Sequence, residues 1–134
     1  MLAHCRRLLS RTATALLPLA AACALALVAA VPAGAADLDG TTDNGEFSLY
    51  GGPDTTSEVL DMYWARGDLS QLQWPRWGGN PNDQNESYWN NDSLTWHVYT
   101  DAYRGGQHGW ISPGVISNAS STFWHRISSA YYTA

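Results

Sequence analysis

Between Asn90 and Trp96 the chain reads NNDSLTW, with two amides, one carboxylate and two hydroxyls in its first six residues. Oxygen donors at that density suit a hard cation such as calcium, which takes six to eight oxygens in a flexible shell. The same residue types also close turns, because Asn and Asp side chains bond nearby backbone and tolerate left-handed conformations. A second concentration lies just upstream, in QWPRWGGNPNDQNESYW from Gln73 to Trp89. There Trp74, Trp77, Tyr88 and Trp89 stand among Asn, Gln, Asp and Glu. Exposed, such rings offer stacking faces to a sugar or anchors to a protein partner; turned inward, each buries a large apolar area.

Acid–base and metal chemistry have less to work with. His97, His108 and His125 lack the His-x-x-x-His spacing of a zinc site. Asp101 could orient His97, but no nucleophile elbow or glycine-rich oxyanion loop accompanies it. No glycine-rich phosphate loop or dinucleotide fingerprint is present. The segment DLDGTTDNGE (Asp37–Glu46) does not place its oxygens and glycine in the register of a helix–loop–helix calcium site. The reading is therefore a protein that binds rather than an enzyme.

The elements that must position these residues follow from the rest of the chain. Arg6, Arg7 and Arg11 precede an apolar run that ends at Pro32 and small residues, the anatomy of an export signal. Residues 1–36 are expected to be removed, with cleavage after Ala35 or Ala36, leaving a secreted, extracellular chain with no membrane attachment. Cys5 and Cys23 lie inside that signal, so the remainder holds no disulfide. Past residue 36 four arginines face twelve acidic residues, a formal charge of −8. Such a surface repels nucleic acid and anionic lipid.

Roughly a hundred residues then make one domain. Residues 37–45 read as a flexible acidic leader and 46–134 as the folded part. EFSLYGG, SLTWHVYTD, HGWISPG and STFWHRISSAYYT have the aromatic and β-branched content of strands bounded by turn residues. In TWHVYT, Trp96, Val98 and Thr100 should face one side, His97 and Tyr99 the other. One helix is expected, over Thr56–Ala65 with Ser57 as its cap. A weak repeat sets EFSLY beside TWHVY, and NNDSLTW beside FWHRISS (Phe123–Ser129), with Gln73–Trp89 as an insertion. The fold class is all-β, two facing Greek keys.

The second half, with VYTDAYRGG, WISPG and RISS, resembles the βγ-crystallin superfamily. Its keys open on an aromatic-rich hairpin ending aromatic-x-Gly, matched by Tyr103-Arg104-Gly105. The resemblance implies an eight-stranded, two-key sandwich over Glu46–Tyr132. Microbial members bind calcium through loops of the form Asn/Asp, Asn/Asp, two variable residues, Ser/Thr, Ser. Asn91–Trp96 fits that form except at Trp96. Carried over, Asp92 and the Ser93 carbonyl would join Ser128 around one calcium ion, and Trp124 and His125 would exclude the reciprocal site. The branch of small secreted bacterial members includes metallopeptidase inhibitors, which implies a loop presented to a peptidase cleft. Gln73–Tyr88 is the segment expected to present it, with Trp74, Trp77, Tyr88 and Trp89 as partner-binding residues. A calcium-stabilised structural module and a carbohydrate-binding or toxin-like module are the alternatives.

Overall fold

A computed structural model describes residues 36–133, so the expected export signal lies outside the described residues but for its last position. Among the described residues seven strands form: β1 Phe47–Tyr50, β2 Val59–Met62, β3 Ser87–Asn90, β4 Thr95–Asp101, β5 Gly105–Ile111, β6 Ile116–Asn118 and β7 Ser129–Thr133. They make two antiparallel sheets, in the orders β2-β1-β3-β6 and β5-β4-β7. A single bridge from Arg66 to Ala130 continues the second sheet beyond β7. Each sheet is thus completed by backbone from the other half of the chain. β6 reaches across to β3, and Arg66 reaches across to β7. Two Greek keys interlocked in this way leave neither half a closed unit.

Side-chain alternation explains which face each strand buries. In β4, Trp96, Val98 and Thr100 are buried while His97 and Tyr99 are half-buried, as the pattern predicts. Phe47 and Leu49 of β1 and Leu60 and Met62 of β2 face the same core. Trp96 sits at its centre, fully buried, stacked on Phe47 with ring centroids 5.1 Å apart and edge-on to Tyr132 at 5.2 Å.

Two expected elements differ. Thr56–Ala65 is not a helix: Val59–Met62 pairs with β1 along its whole length. Leu60 and Met62 are both fully buried, a spacing of two, and tertiary pairing overrides the local propensity. Ser57 has φ of 68°, which an N-cap cannot use. In STFWHRISSAYYT only Ser129–Thr133 is strand, and residues 121–126 before it are turns. The repeat is correct for its first pair, since β1 and β4 hold equivalent central places. It shifts for the second. β3 lies beside β1 as β7 lies beside β4, so the loop equivalent to 124–128 is the one before β3, not Asn90–Trp96. Gln73–Trp89 is therefore not a simple insertion but the approach to β3 together with most of β3 itself.

Asp37–Gly45, expected as a flexible leader, has no strand or helix, yet it is fastened across the outer face of β1 and β2. Asp61 accepts the Asp39 and Gly40 amides, and the Leu38 amide donates to the Asp61 carbonyl at 3.1 Å. Thr42 bonds the Ser48 and Tyr50 hydroxyls, and Asp37 pairs with Arg66. This strap makes β1 buried on both faces.

Trp96→Ala should cost about 3–5 kcal/mol, the penalty for removing a large buried ring. Trp77→Ala, at a site 75 % exposed, should stay within roughly 0.5 kcal/mol. Urea denaturation of the two variants separates them.

Candidate functional site

Asn90–Trp96 connects β3 to β4, the junction between the keys. Asn90 and Asp92 spend their polar groups on the turn, while the Asn91 side chain donates to the Asp43 carbonyl at 2.9 Å. The fully buried Asn90 donates to the carbonyls of Leu94 and Ile111, each at 2.9 Å, and accepts the Asp92 amide at 3.0 Å. The two oxygens of Asp92 accept the Trp96 indole N–H at 2.9 Å and the Leu94 amide at 3.2 Å. Ser93 reaches only its neighbour Asp92, at 3.4 Å. An indole N–H and a backbone amide have no lone pair for a cation, and here they occupy the positions it would need.

Ser128 is elsewhere. Its hydroxyl donates to Asp83 Oδ1 at 3.0 Å. Asp83 precedes β3 and Asp92 follows it, and four strand residues separate their loops by roughly 13 Å. Asp92, Ser93 and Ser128 are thus not one ligand set. The pairing expected across the keys forms instead between the two equivalent loops. Asn85, almost fully buried, accepts the Ile127 amide at 3.1 Å and donates to the Phe123 carbonyl at 3.2 Å. The His125 amide donates to the Asn85 carbonyl at 2.8 Å, and the His125 ring meets Glu86 at 2.8 Å. Asp83–Ser128 and Glu86–His125 clasp one loop to the other. Asn82 Oδ1, beside that clasp, is buried without a partner.

The approach to this clasp carries the most exposed feature of Gln73–Tyr88. Trp74 is 7 % exposed and belongs to the core, and Pro81 is fully buried. Between these anchors the chain turns outward. The Trp74 amide donates to the Gly79 carbonyl and the Gly78 amide to the Trp74 carbonyl, each at 3.0 Å. Gly78 and Gly79 have φ of 71° and 83°, a succession that side chains resist. Asn80 Nδ2 donates to the Ser70 carbonyl at 2.6 Å and the Leu72 carbonyl at 3.3 Å, tying the loop to a short 3-10 turn, Leu69–Gln71. Asp68 caps that turn at the Ser70 amide, and Leu69 is buried under it. Trp77 projects from the tip, while Arg76, also exposed, folds back toward Thr41.

The four rings singled out from the sequence do not form one surface. Tyr88 lies opposite Leu49 and packs toward the core, at the edge of a cleft of about 340 Å³; Trp89 lies opposite Ser48 on the other face. Trp77 alone of the four is fully presented to solvent. Sequence reasoning missed Asn80, Arg76 and Asp83, whose roles come from distant backbone; only the Asn80-Pro81 pair hinted at a loop boundary. It also missed a ring layer on the second sheet. His108 stacks between Tyr99 and His97, with centroids 4.7 and 5.0 Å away, and His97 Nδ1 lies 2.8 Å from His108 Nε2. Burial, then His108 and Arg104, holds the His97 ring below the usual histidine range.

Interlocked keys of this kind define a βγ-crystallin-like domain, and solved structures agree. The chain is similar to a structure described under the evolution of the eye-lens βγ-crystallin domain fold. Identity there is 16 %, covering 71 % of this chain and 94 % of that one, with a TM-score of 0.61. It is also similar to a βγ-crystallin of Ciona intestinalis, at 22 % identity over 66 % of this chain and all of that one (TM-score 0.54). An archaeal βγ-crystallin matches at 22 % identity over 68 % of this chain and 100 % of its own, with a TM-score of 0.53. No curated protein matches the sequence. The sequence profile of peptidase inhibitor family I36 matches residues 36–111, more than half the chain, and the protein belongs to that family. Among the described residues no helix is long and apolar enough to cross a membrane.

Asp92→Ala leaves the buried Trp96 N–H without its acceptor and should cost about 1–3 kcal/mol. Thermal melts should show the same loss in calcium and in chelator; a loss confined to calcium would mean that the carboxylate holds the ion.

Proposed function

We propose that the protein is a secreted, non-catalytic inhibitor of an extracellular metallopeptidase, and that the loop Pro75–Asn80 is the part that enters the peptidase. The observation that carries this reading is the loop's combination of full exposure and fixed shape. Trp77 is held out at the tip while Trp74, Pro81 and the Asn80 side chain anchor the stem. An inhibitor needs such a loop, because ordering a mobile segment on binding subtracts from affinity. A Trp beside an Arg supplies the two residue types that most often dominate interface energy. Family membership supports the inhibitor reading and the absence of a catalytic role; the resemblance to the secreted metallopeptidase-inhibitor branch supports the target class. The leader-like residues 1–36 support export.

Inhibition assays against a panel of secreted metallopeptidases, with serine and cysteine peptidases beside them, test this directly. Trp77→Ala should weaken inhibition by about thirtyfold, the scale of an interface hot spot, without moving the melting temperature. Equal inhibition by the variant would remove the loop from the interface. Inhibition confined to serine peptidases would overturn the target class.

A calcium-stabilised module is the second reading, supported by the unpartnered Asn82 Oδ1 and by the Ser128 hydroxyl beside Asp83, which, unlike an N–H donor, can turn to offer its oxygen to a cation. An ion would draw on the Asp83 carboxylate, Ser128 and Asn82 rather than on Asp92. Calcium at about a hundred times its dissociation constant would add roughly 2.7 kcal/mol. On this reading the gain appears in melts of the wild type and vanishes in Asp83→Ala.

A further inference from the structure

The exposed loop leans on the strap, and the strap leans on two buried carboxylates. Glu46 and Asp61 are fully buried on the outer face of β1 and β2. Asp61 Oδ2 and Oδ1 accept the Asp39 and Gly40 amides at 2.8 and 2.7 Å. Glu46 Oε2 accepts the Asp43 amide at 2.6 Å, and its Oε1 is buried with no partner. On the strap's far side, Arg76 Nη2 donates to the Thr41 hydroxyl at 2.9 Å. Gly40, with φ of 82°, lies directly under the Arg76 stem: a Cβ there would stand 2.7 Å from Arg76 Cγ and Nε. Contacts therefore run without a break from the two carboxylates through the strap to the loop that carries Trp77.

We propose that Glu46 and Asp61 are positioning residues for the inhibitory loop, acting through the strap, and that the strap docks with a proton on Glu46. The proposal rests on the reading of Pro75–Asn80 as the peptidase contact. An ionised Glu46 would leave Oε1 charged, dry and unpaired, which folded proteins avoid. The charged and titratable groups facing it are Asp61 from β2, Asp39 and Asp43 from the strap, and Tyr50 from β1. The residues on its β3 side, Asn90 and Asn91, are neutral. Arg66 and Arg76, the cations that reach the strap, are bonded to Asp37 and Thr41. Burial pushes the Glu46 carboxyl up to about 7; the Asp43 amide opposes this, and the carboxylates of Asp61, Asp43 and Asp39 add to it. Burial likewise raises Asp61.

Docked Glu46 keeps a proton that a solvated glutamate releases near 4.5. Docking is therefore strongest at or below that pH, weakens as pH rises, and has lost this contribution above about 7. Within that window the docked-to-released ratio falls by up to about tenfold per pH unit.

Amide hydrogen exchange across pH 5 to 8 reads both ends of the contact chain. Asp39, Gly40 and Asp43 report the strap, and Trp74 and Gly78 report the loop. Protection at both sets should fall together by at least about tenfold between pH 5 and 7 and then level off. Glu46→Gln, which keeps the acceptor and cannot ionise, should flatten both profiles; Gly40→Ala should hold both low at every pH. Asp61→Asn is the second variant should Glu46→Gln fail to fold, and it should lower strap and loop protection together. The ratio of wild-type to Glu46→Gln inhibition constants, taken at each pH, should rise in step. Loop protection that stays constant while the strap releases would overturn the proposal, as would a wild-type pH profile in Glu46→Gln. If no peptidase is inhibited at any pH, the exchange profiles still decide the positioning role, and the peptidase reading alone falls.

Discussion

Neither half of this domain can close its own sheet. β6 supplies the edge that β3 needs, and the Arg66 bridge supplies one for β7. A domain of this size has little core to spare, and the chain past residue 36 has no cysteine to compensate. The exchange of edges solves that problem by making each half a condition for the other. The loop clasp strengthens the coupling, because Asp83–Ser128 and Glu86–His125 bind together the two turns that lead into β3 and β7.

That coupling anchors both ends of the exposed loop. Pro75–Asn80 rises between Trp74, sunk into the shared core, and the chain that runs through Pro81 to the clasp. One side of its base is tied by Asn80 to the 3-10 turn, which the Leu69 amide in turn ties to the Ser128 carbonyl at 2.9 Å. The other side rests on the strap through Arg76. A disulfide would brace such a loop with one covalent bond. Here several hydrogen bonds and one buried indole share the work, and some of them depend on carboxylates that can change charge.

The strap also changes what acidity means in this protein. A formal charge of −8 reads from the sequence as a solvated surface. Glu46 and Asp61 are instead fully buried, and the amides they accept belong to the very segment that resembles an unstructured leader. Backbone N–H groups can satisfy a carboxylate wherever the chain is folded back over it. No spacing in the sequence announces such a partnership, because the contacts Asp61–Gly40 and Glu46–Asp43 depend on a reversal at Gly40 and Gly45.

What the sequence alone determined is the class of architecture. Period-two alternation in TWHVY and aromatic-rich runs bounded by Gly, Asn and Pro specify strands locally, and β1 and β4 emerge where those signals lie. The family likeness of the second half extended this to two Greek keys. The helix at Thr56–Ala65 failed because Leu60 and Met62 serve a sheet edge that only β1 creates. The site was less legible. Asn90–Trp96 and the loop before β3 each carry an Asn-Asp pair, and residue type cannot say which is the junction and which the clasp. That depended on strand order: placing β3 beside β1 sends Asp83 to Ser128 and leaves Asp92 to cap Trp96. Trp74 and Trp77, three residues apart in one polar stretch, likewise divide into anchor and tip only once the turn at Gly78-Gly79 exists. Short-range patterning encodes which segments extend, whereas long-range pairing decides which polar groups meet.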